Sequence, residues 1–152
     1  MTNRAPDWLR QAEKDLKHAH SAMESEDYEW CCFACQQGAE KALKALFYHL
    51  HGDPWGHSLL SLFRGLPETV QAAVTEELLD SAKSLDKHYI PARYPNGFAQ
   101  GAPADYYTKR DAENSLNHAE SILAFSQSEI RKPEPNPGLG QKNGTADSGE
   151  SS

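Results

Sequence analysis

Long hydrophobic runs are missing from this sequence of 152 residues. The longest stretch without a charged residue covers 11 positions, from Tyr94 to Ala104, and it is rich in glycine and proline. A transmembrane helix needs about 18 or more apolar residues, so we expect no transmembrane span and no membrane partner. The N-terminal segment 1–15 also lacks the apolar centre of a signal peptide, which predicts a cytoplasmic protein.

Cysteine is scarce, and its three copies, Cys31, Cys32 and Cys35, form one short cluster. An odd number at this spacing gives no disulfide framework, and no second ligand pair is present to complete a zinc site. We therefore expect buried, reduced thiols and no metal. The chain also contains no phosphate-cradling glycine loop, nucleophile elbow or metalloprotease helix motif, so we predict no cofactor.

Positive charge is in deficit. The chain has 15 Lys and Arg against 22 Asp and Glu, which gives a formal net charge of -7. A protein that coats nucleic acid needs a basic footprint, so this balance argues against that class. A local basic patch stays open.

Apolar residues are almost absent from the C-terminal segment. From Pro133 to Ser152 the chain contains one Leu, one Ala and no aromatic residue. Such a segment cannot bury enough apolar surface to offset the entropy of ordering it. We predict one folded domain over residues 5–131 and a disordered tail over residues 132–152.

Elsewhere the apolar residues recur at spacings of three and four, which indicates helices, and no segment alternates as a strand does. The sequence therefore predicts an all-α fold, a four- to five-helix up-and-down antiparallel bundle. Ser25 is the expected cap of the second helix. The predicted helices cover about 6–23, 26–51, 58–64, 68–89 and 105–130.

One connection is too long for such a bundle. About 14 residues separate the last two predicted helices, whereas bundle connections usually run about 2–8 residues. This loop begins with the segment 89–96, YIPARYPN. Its prolines restrict the backbone, which favours a loop that holds side chains in place for function.

Five motifs occur in an order that resembles the HEPN domain, a nucleotide-binding domain of higher eukaryotes and prokaryotes. The resemblance covers roughly residues 6–126. The matching motifs are Trp8 with Asp15, Asp27-Tyr28, the segment CQQGAEKALKAL at 35–46, GHSL at 56–59 and the loop at 89–96.

The resemblance implies a helical bundle that forms a homodimer. It also implies either ribonuclease activity or a noncatalytic role beside a small nucleotidyltransferase, in toxin–antitoxin or defence systems. Catalytic members carry an Arg followed about four to six residues later by a His. Here no His follows Arg93 until His118, so that motif is not intact. We name no catalytic residue and favour a protein that is not an enzyme, with the question left open.

Arg93 is the first candidate ligand-binding residue, because a guanidinium offers a planar fork of donors that matches a phosphate. Its neighbour Tyr94 and the helix-ending Asp86 are included in the same candidate site. The structural alternative is an ion pair between Arg93 and Asp86 that anchors the loop.

The other candidates lie outside the loop. Lys41 and Lys44 belong to a polar, partly basic face of the second helix, where an anion could bind; an ordinary solvated face is the alternative. His57 stands at the start of the third helix, where backbone amides attract anions. Capping of that helix by His57 or Ser58 is the alternative there.

Three functions remain open from the sequence. The first is nucleotide or RNA-end binding through Arg93 and its neighbours, as the partner subunit of a nucleotidyltransferase. The second is a metal-independent ribonuclease in which His57 moves the proton and Arg93 stabilises the phosphate charge. The third is a protein-interaction module without a ligand.

Overall fold

The computed structural model describes residues 3–133 and confirms the predicted all-α fold, since no strand occurs in this range. The expected tail falls largely on residues 134–152, which lie outside the described part. The helices are α1 (Ala5–Glu24), α2 (Tyr28–His49), α3 (Leu59–Arg64), α4 (Glu68–Gln71), α5 (Glu76–Asp86), α6 (Pro103–Tyr106) and α7 (Lys109–Arg131), with a 3-10 turn at Pro95–Gly97.

Helix α2 is the central element of the bundle. It packs against both α1 and α7, which also contact each other, and α5 covers α7. Helices α1 and α2 approach closely at Gly38, where an added Cβ would lie 2.8 Å from Cδ2 of Leu16 and 3.2 Å from the main-chain oxygen of Ala12. The largest fully buried apolar side chains are Phe63, Leu43, Leu46, Leu59, Leu85 and Ile122.

The three cysteines of α2 belong to this core. All three are fully buried and carry free thiols, as the sequence predicted. No helix within residues 3–133 is long and apolar enough to cross a membrane.

The prediction of one continuous fourth helix over 68–89 is wrong. The structure divides it into α4 and α5, because Thr75 adopts an extended backbone and its hydroxyl accepts a hydrogen bond from Leu78 N. Such a Thr starts a new helix rather than continuing an old one. The Gln71 side chain also donates to main-chain oxygens at the end of α3, which holds α4 as a separate turn.

Two helix starts differ from the predicted ones. Glu26 has a φ of 63°, so the chain reverses there, and Asp27 rather than Ser25 precedes α2. The last helix begins at Lys109 and not near residue 105. Thr108 and Asp111 form a reciprocal cap there, with Asp111 N donating to the Thr108 hydroxyl and Thr108 N to the Asp111 carboxylate.

Two histidines join the C-terminal half of the fold. Nδ1 of His118 lies 2.8 Å from the Ser81 hydroxyl, between α7 and α5. Nδ1 of His88 lies 2.9 Å from the Tyr107 hydroxyl, between the end of α5 and the segment before α7. Burial is the largest influence on both rings and lowers the pKa of each below its ordinary value of 6.5.

This lowered pKa predicts a loss of stability in mild acid. Below about pH 6.5 the unfolded chain binds more protons at these two positions than the folded chain, so the free energy of unfolding falls as the pH falls. Urea unfolding between about pH 7 and pH 5 measures the slope. His88→Gln and His118→Gln should each make the slope shallower, whereas the same change at the exposed His18 should leave it unaltered. Equal slopes in all three variants would contradict the assignment.

Candidate functional site

A buried carboxylate lies on α2 at the centre of the candidate site. Glu40 is 5% exposed. Its oxygens meet Nζ of Lys44 at 3.0 Å, Nε2 of Gln36 at 3.3 Å and Nδ1 of His57 at 3.2 Å. Gln36 and Lys44 stand one turn before and one turn after Glu40 on the same helix, so their partnership is local. His57 comes from the segment after α2, so its contact with Glu40 ties that segment to the helix.

His57 is held from two further directions. Its main-chain oxygen accepts a hydrogen bond of 3.0 Å from the Gln36 amide. Its ring stacks on Tyr89 with centroids 4.8 Å apart and an interplanar angle of 18°. The side chain is still 58% exposed. When the neutral ring donates from Nδ1 to Glu40, Nε2 is left as a proton acceptor, which is the arrangement of an oriented general base.

Asp86 closes the start of α3. Its carboxylate accepts hydrogen bonds from Leu59 N at 2.8 Å, from Leu60 N at 3.1 Å and from the Ser58 hydroxyl at 3.1 Å. The amides that we expected to attract an external anion beside His57 therefore already have an internal carboxylate. Asp86 holds the end of α5 against the start of α3.

Arg93 is fixed by aromatic rings and not by an acid. Its guanidinium carbon lies 4.4 Å from the ring centroid of Phe33, 4.8 Å from that of Tyr89 and 5.0 Å from that of Tyr94. Its Nε donates to the Tyr89 main-chain oxygen at 2.9 Å. Within residues 3–133 no ion pair joins Arg93 to Asp86, so the structural alternative of a loop-anchoring pair between them is wrong. No acceptor for the two Nη groups occurs in the same range.

The two lysines of the predicted basic face are already paired. Nζ of Lys41 lies 2.6 Å from Asp15 on α1, and both side chains are largely buried. Nζ of Lys44 lies 3.0 Å from Glu40. The structure therefore brings Lys44 to the candidate site through Glu40, whereas Lys41 faces α1. Neither lysine has an uncompensated charge to offer an anion.

Sequence reasoning missed Glu40, Gln36 and Phe33. Gln36 and Glu40 are four residues apart and directly follow the apolar residues Cys35 and Ala39, so they stand at the edge of the core. That position was the available signal, and a buried polar pair there requires partners from elsewhere in the fold. Phe33 carried no signal beyond its place in the aromatic segment that opens α2.

Across residues 3–133 no group of three or more His, Cys, Asp or Glu side chains is arranged to hold a metal ion. What the geometry does offer is an exposed imidazole oriented by a buried carboxylate, next to a guanidinium fixed on aromatic rings. The Tyr89 ring contacts both groups, so the His57 ring and the Arg93 guanidinium are separated by that single side chain. This arrangement can bind an anion and can accept a proton.

Comparison with known proteins identifies the family. A family model described as the HEPN domain matches residues 5–130, and the chain belongs to this family. A candidate toxin, MJ1304 of Methanocaldococcus jannaschii, is 31% identical over 124 residues, and the match covers 76% of this chain and 81% of that protein.

Solved structures show the same fold. TT1696 from Thermus thermophilus superimposes with a TM-score of 0.81 at 48% identity, covering 84% of this chain and 99% of that one. ST0689, an archaeal HEPN homologue, gives a TM-score of 0.72 at 39% identity, with 86% and 100% covered. The HEPN domain protein tm0613 from Thermotoga maritima gives 0.68 at 32%, with 84% and 99% covered.

Proposed function

We propose that this chain binds the phosphate of a nucleotide or of an RNA end at Arg93, Tyr94 and His57. The observation that carries the proposal is the guanidinium of Arg93, which is held on three rings with both Nη groups directed to no protein acceptor in the described part of the chain. A fork fixed in this way loses little freedom when a phosphate binds across it.

The neighbours of Arg93 have complementary parts. Tyr94 is 48% exposed and offers a ring on which a base can stack. His57 adds a second nitrogen donor when its ring is protonated. Lys44 and Asp86 act indirectly, because their charges are satisfied by Glu40 and by the start of α3. Lys41 belongs to the α1–α2 contact.

The biological setting that we favour is a toxin–antitoxin-like or defence system, in which this chain is the partner subunit of a nucleotidyltransferase. Support comes from the relative in M. jannaschii, whose name describes a toxin. A cytoplasmic location fits the three free, buried thiols, which persist in a reducing compartment.

A metal-independent ribonuclease is the second candidate, and the His57–Glu40 contact favours it. Glu40 would keep Nε2 of His57 free to take the proton of a ribose 2′-hydroxyl. The 2′-oxygen would then attack the phosphorus and expel the 5′-oxygen, while Arg93 stabilises the added phosphate charge. The family motif is broken because no His follows Arg93 at the usual spacing. His57, which precedes Arg93 in the sequence, lies in the same neighbourhood and would replace that His.

Arg93→Ala should weaken binding of AMP by about ten- to a hundredfold, since removal of a charge-assisted hydrogen bond costs about 1.5–3 kcal/mol. Arg93→Lys should recover only part of the affinity, because an ammonium cannot make the planar two-pronged contact. Calorimetry measures the affinities, and thermal melting of the same samples reports the packing of Arg93 on its rings.

The matched control is Arg64→Ala, an exposed arginine at the end of α3, which should leave AMP binding unchanged. A drop in melting temperature without a change in affinity would give Arg93 a purely structural role and refute the proposal. Incubation of the wild type and His57→Gln with RNA separates the two candidates, because only the ribonuclease predicts cleavage that His57→Gln removes.

We also propose that the chain forms a homodimer through the surface next to the Arg93 loop. Tyr106 is 46% exposed and stacks on Phe98, with centroids 4.4 Å apart and planes at 2°. Ile90, three residues before Arg93 in the sequence, is also 46% exposed. Exposed aromatic residues beside an arginine are typical of protein–protein interfaces.

Light scattering at tens of micromolar chain should therefore report about twice the chain mass of 16.9 kDa. The physical reason is the removal of exposed aromatic area from water when two copies join. A mass of one chain at that concentration would contradict the dimer.

A further inference from the structure

A second concave surface follows the contact between α1 and α2. It encloses a groove of about 1110 Å³. Five basic side chains line it against two acidic ones, although the whole chain carries a formal net charge of -7. The basic residues are Arg4, Arg10, Lys14, Lys17 and Lys41. An acidic protein has concentrated positive charge in one groove.

Two of these cations have no acidic partner. Arg4 and Arg10 share the carboxylate of Asp7, at 2.8 and 2.9 Å. Lys14 and Lys17 pair with no acid among residues 3–133, and both are exposed. Because they stand three positions apart on α1, they point to the same side of the helix. Their charge is available to an anion outside the protein.

Aromatic side chains line the groove and the cavity beside it together with the basic side chains. Trp8 and Tyr48 line the groove with ring centroids 5.4 Å apart. A neighbouring cavity of about 470 Å³ shares Lys14 with the groove and contains Trp30 and Phe33. Phe33 is one of the rings beneath Arg93. The groove therefore continues, through side chains that it shares with the second cavity, to the ring under the proposed phosphate site.

We propose that the α1–α2 groove binds the backbone of single-stranded RNA, so that the strand leads from Lys17 and Lys14 past Phe33 to Arg93. Cations that follow a strand, interleaved with rings on which bases stack, are the features of sequence-tolerant single-strand binding. An acidic peptide would use the cations but not the rings, of which Trp30 is 48% exposed and Trp8, Phe33 and Tyr48 are half-buried. The RNA end at Arg93 rests on the proposed function; the groove itself rests on Lys14, Lys17 and the rings.

The test uses the full chain and a labelled oligouridylate of about 12 nucleotides, within the range of single-strand site sizes. Fluorescence anisotropy should show at least tenfold weaker binding for the double variant Lys14→Gln, Lys17→Gln. The slope of log affinity against log salt concentration should be less steep by about 1.4 for this variant. Each lost lysine leaves one phosphate without a protein cation, which changes the slope by roughly 0.7. AMP binding should be unchanged. The matched control is Lys83→Gln, Lys109→Gln, two exposed lysines outside the groove, and it should bind the oligonucleotide like the wild type.

The outcomes separate this inference from the proposed function. If the double variant binds the oligonucleotide as tightly as the wild type while AMP still binds, the groove assignment is overturned and the phosphate site stands. If Lys14 and Lys17 matter but Arg93→Ala alters neither ligand, the groove stands and the phosphate site falls. Binding of a 12-residue polyglutamate with the same lysine dependence, and no RNA binding, would overturn the RNA assignment in favour of an acidic protein partner.

Discussion

A carboxylate buried in the middle of the central helix must be matched by donors, or its desolvation would destabilise the fold by several kcal/mol. Glu40 satisfies this requirement with one neighbour on each side along α2 and one group from outside the helix, His57. The outside partner has a large structural effect, because it decides where the segment after α2 lies. That segment begins α3, so the position of α3 also depends on Glu40.

The Arg93 loop follows from this arrangement in two steps. Asp86 attaches the end of α5 to the first amides of α3, which fixes where the loop begins. Tyr89 then stacks on His57, and Arg93 closes back on Tyr89 through its main-chain oxygen and its ring. The loop is thus held by contacts within the chain, and preorganisation of this kind would reduce the ordering cost of the proposed phosphate binding.

Periodicity predicted the fold because it reports which face of each helix is buried. It gave α1, α2, α3 and α7 within a few residues and missed the break before Thr75, since apolar spacing continues across that break.

In the site, Arg93 and His57 were identified from their residue types and positions. The pairing of Lys41 with Asp15 was invisible, because the two residues are 26 positions apart and only the packing of α1 on α2 brings them together. Glu40 was missed, because spacing along α2 does not show that the segment carrying His57 reaches it.

The protonation pattern of the His57 ring tests the central role of Glu40 most directly. Nitrogen NMR of the histidine-labelled protein, at a pH where the ring is neutral, distinguishes a proton on Nδ1 from a proton on Nε2. We expect the proton on Nδ1, donated to Glu40, with Nε2 unprotonated, and we expect Glu40→Ala, which removes the acceptor, to abolish this preference. A neutral His57 that carries its proton on Nε2 in the wild type, or a ring signal that Glu40→Ala does not change, would contradict the account.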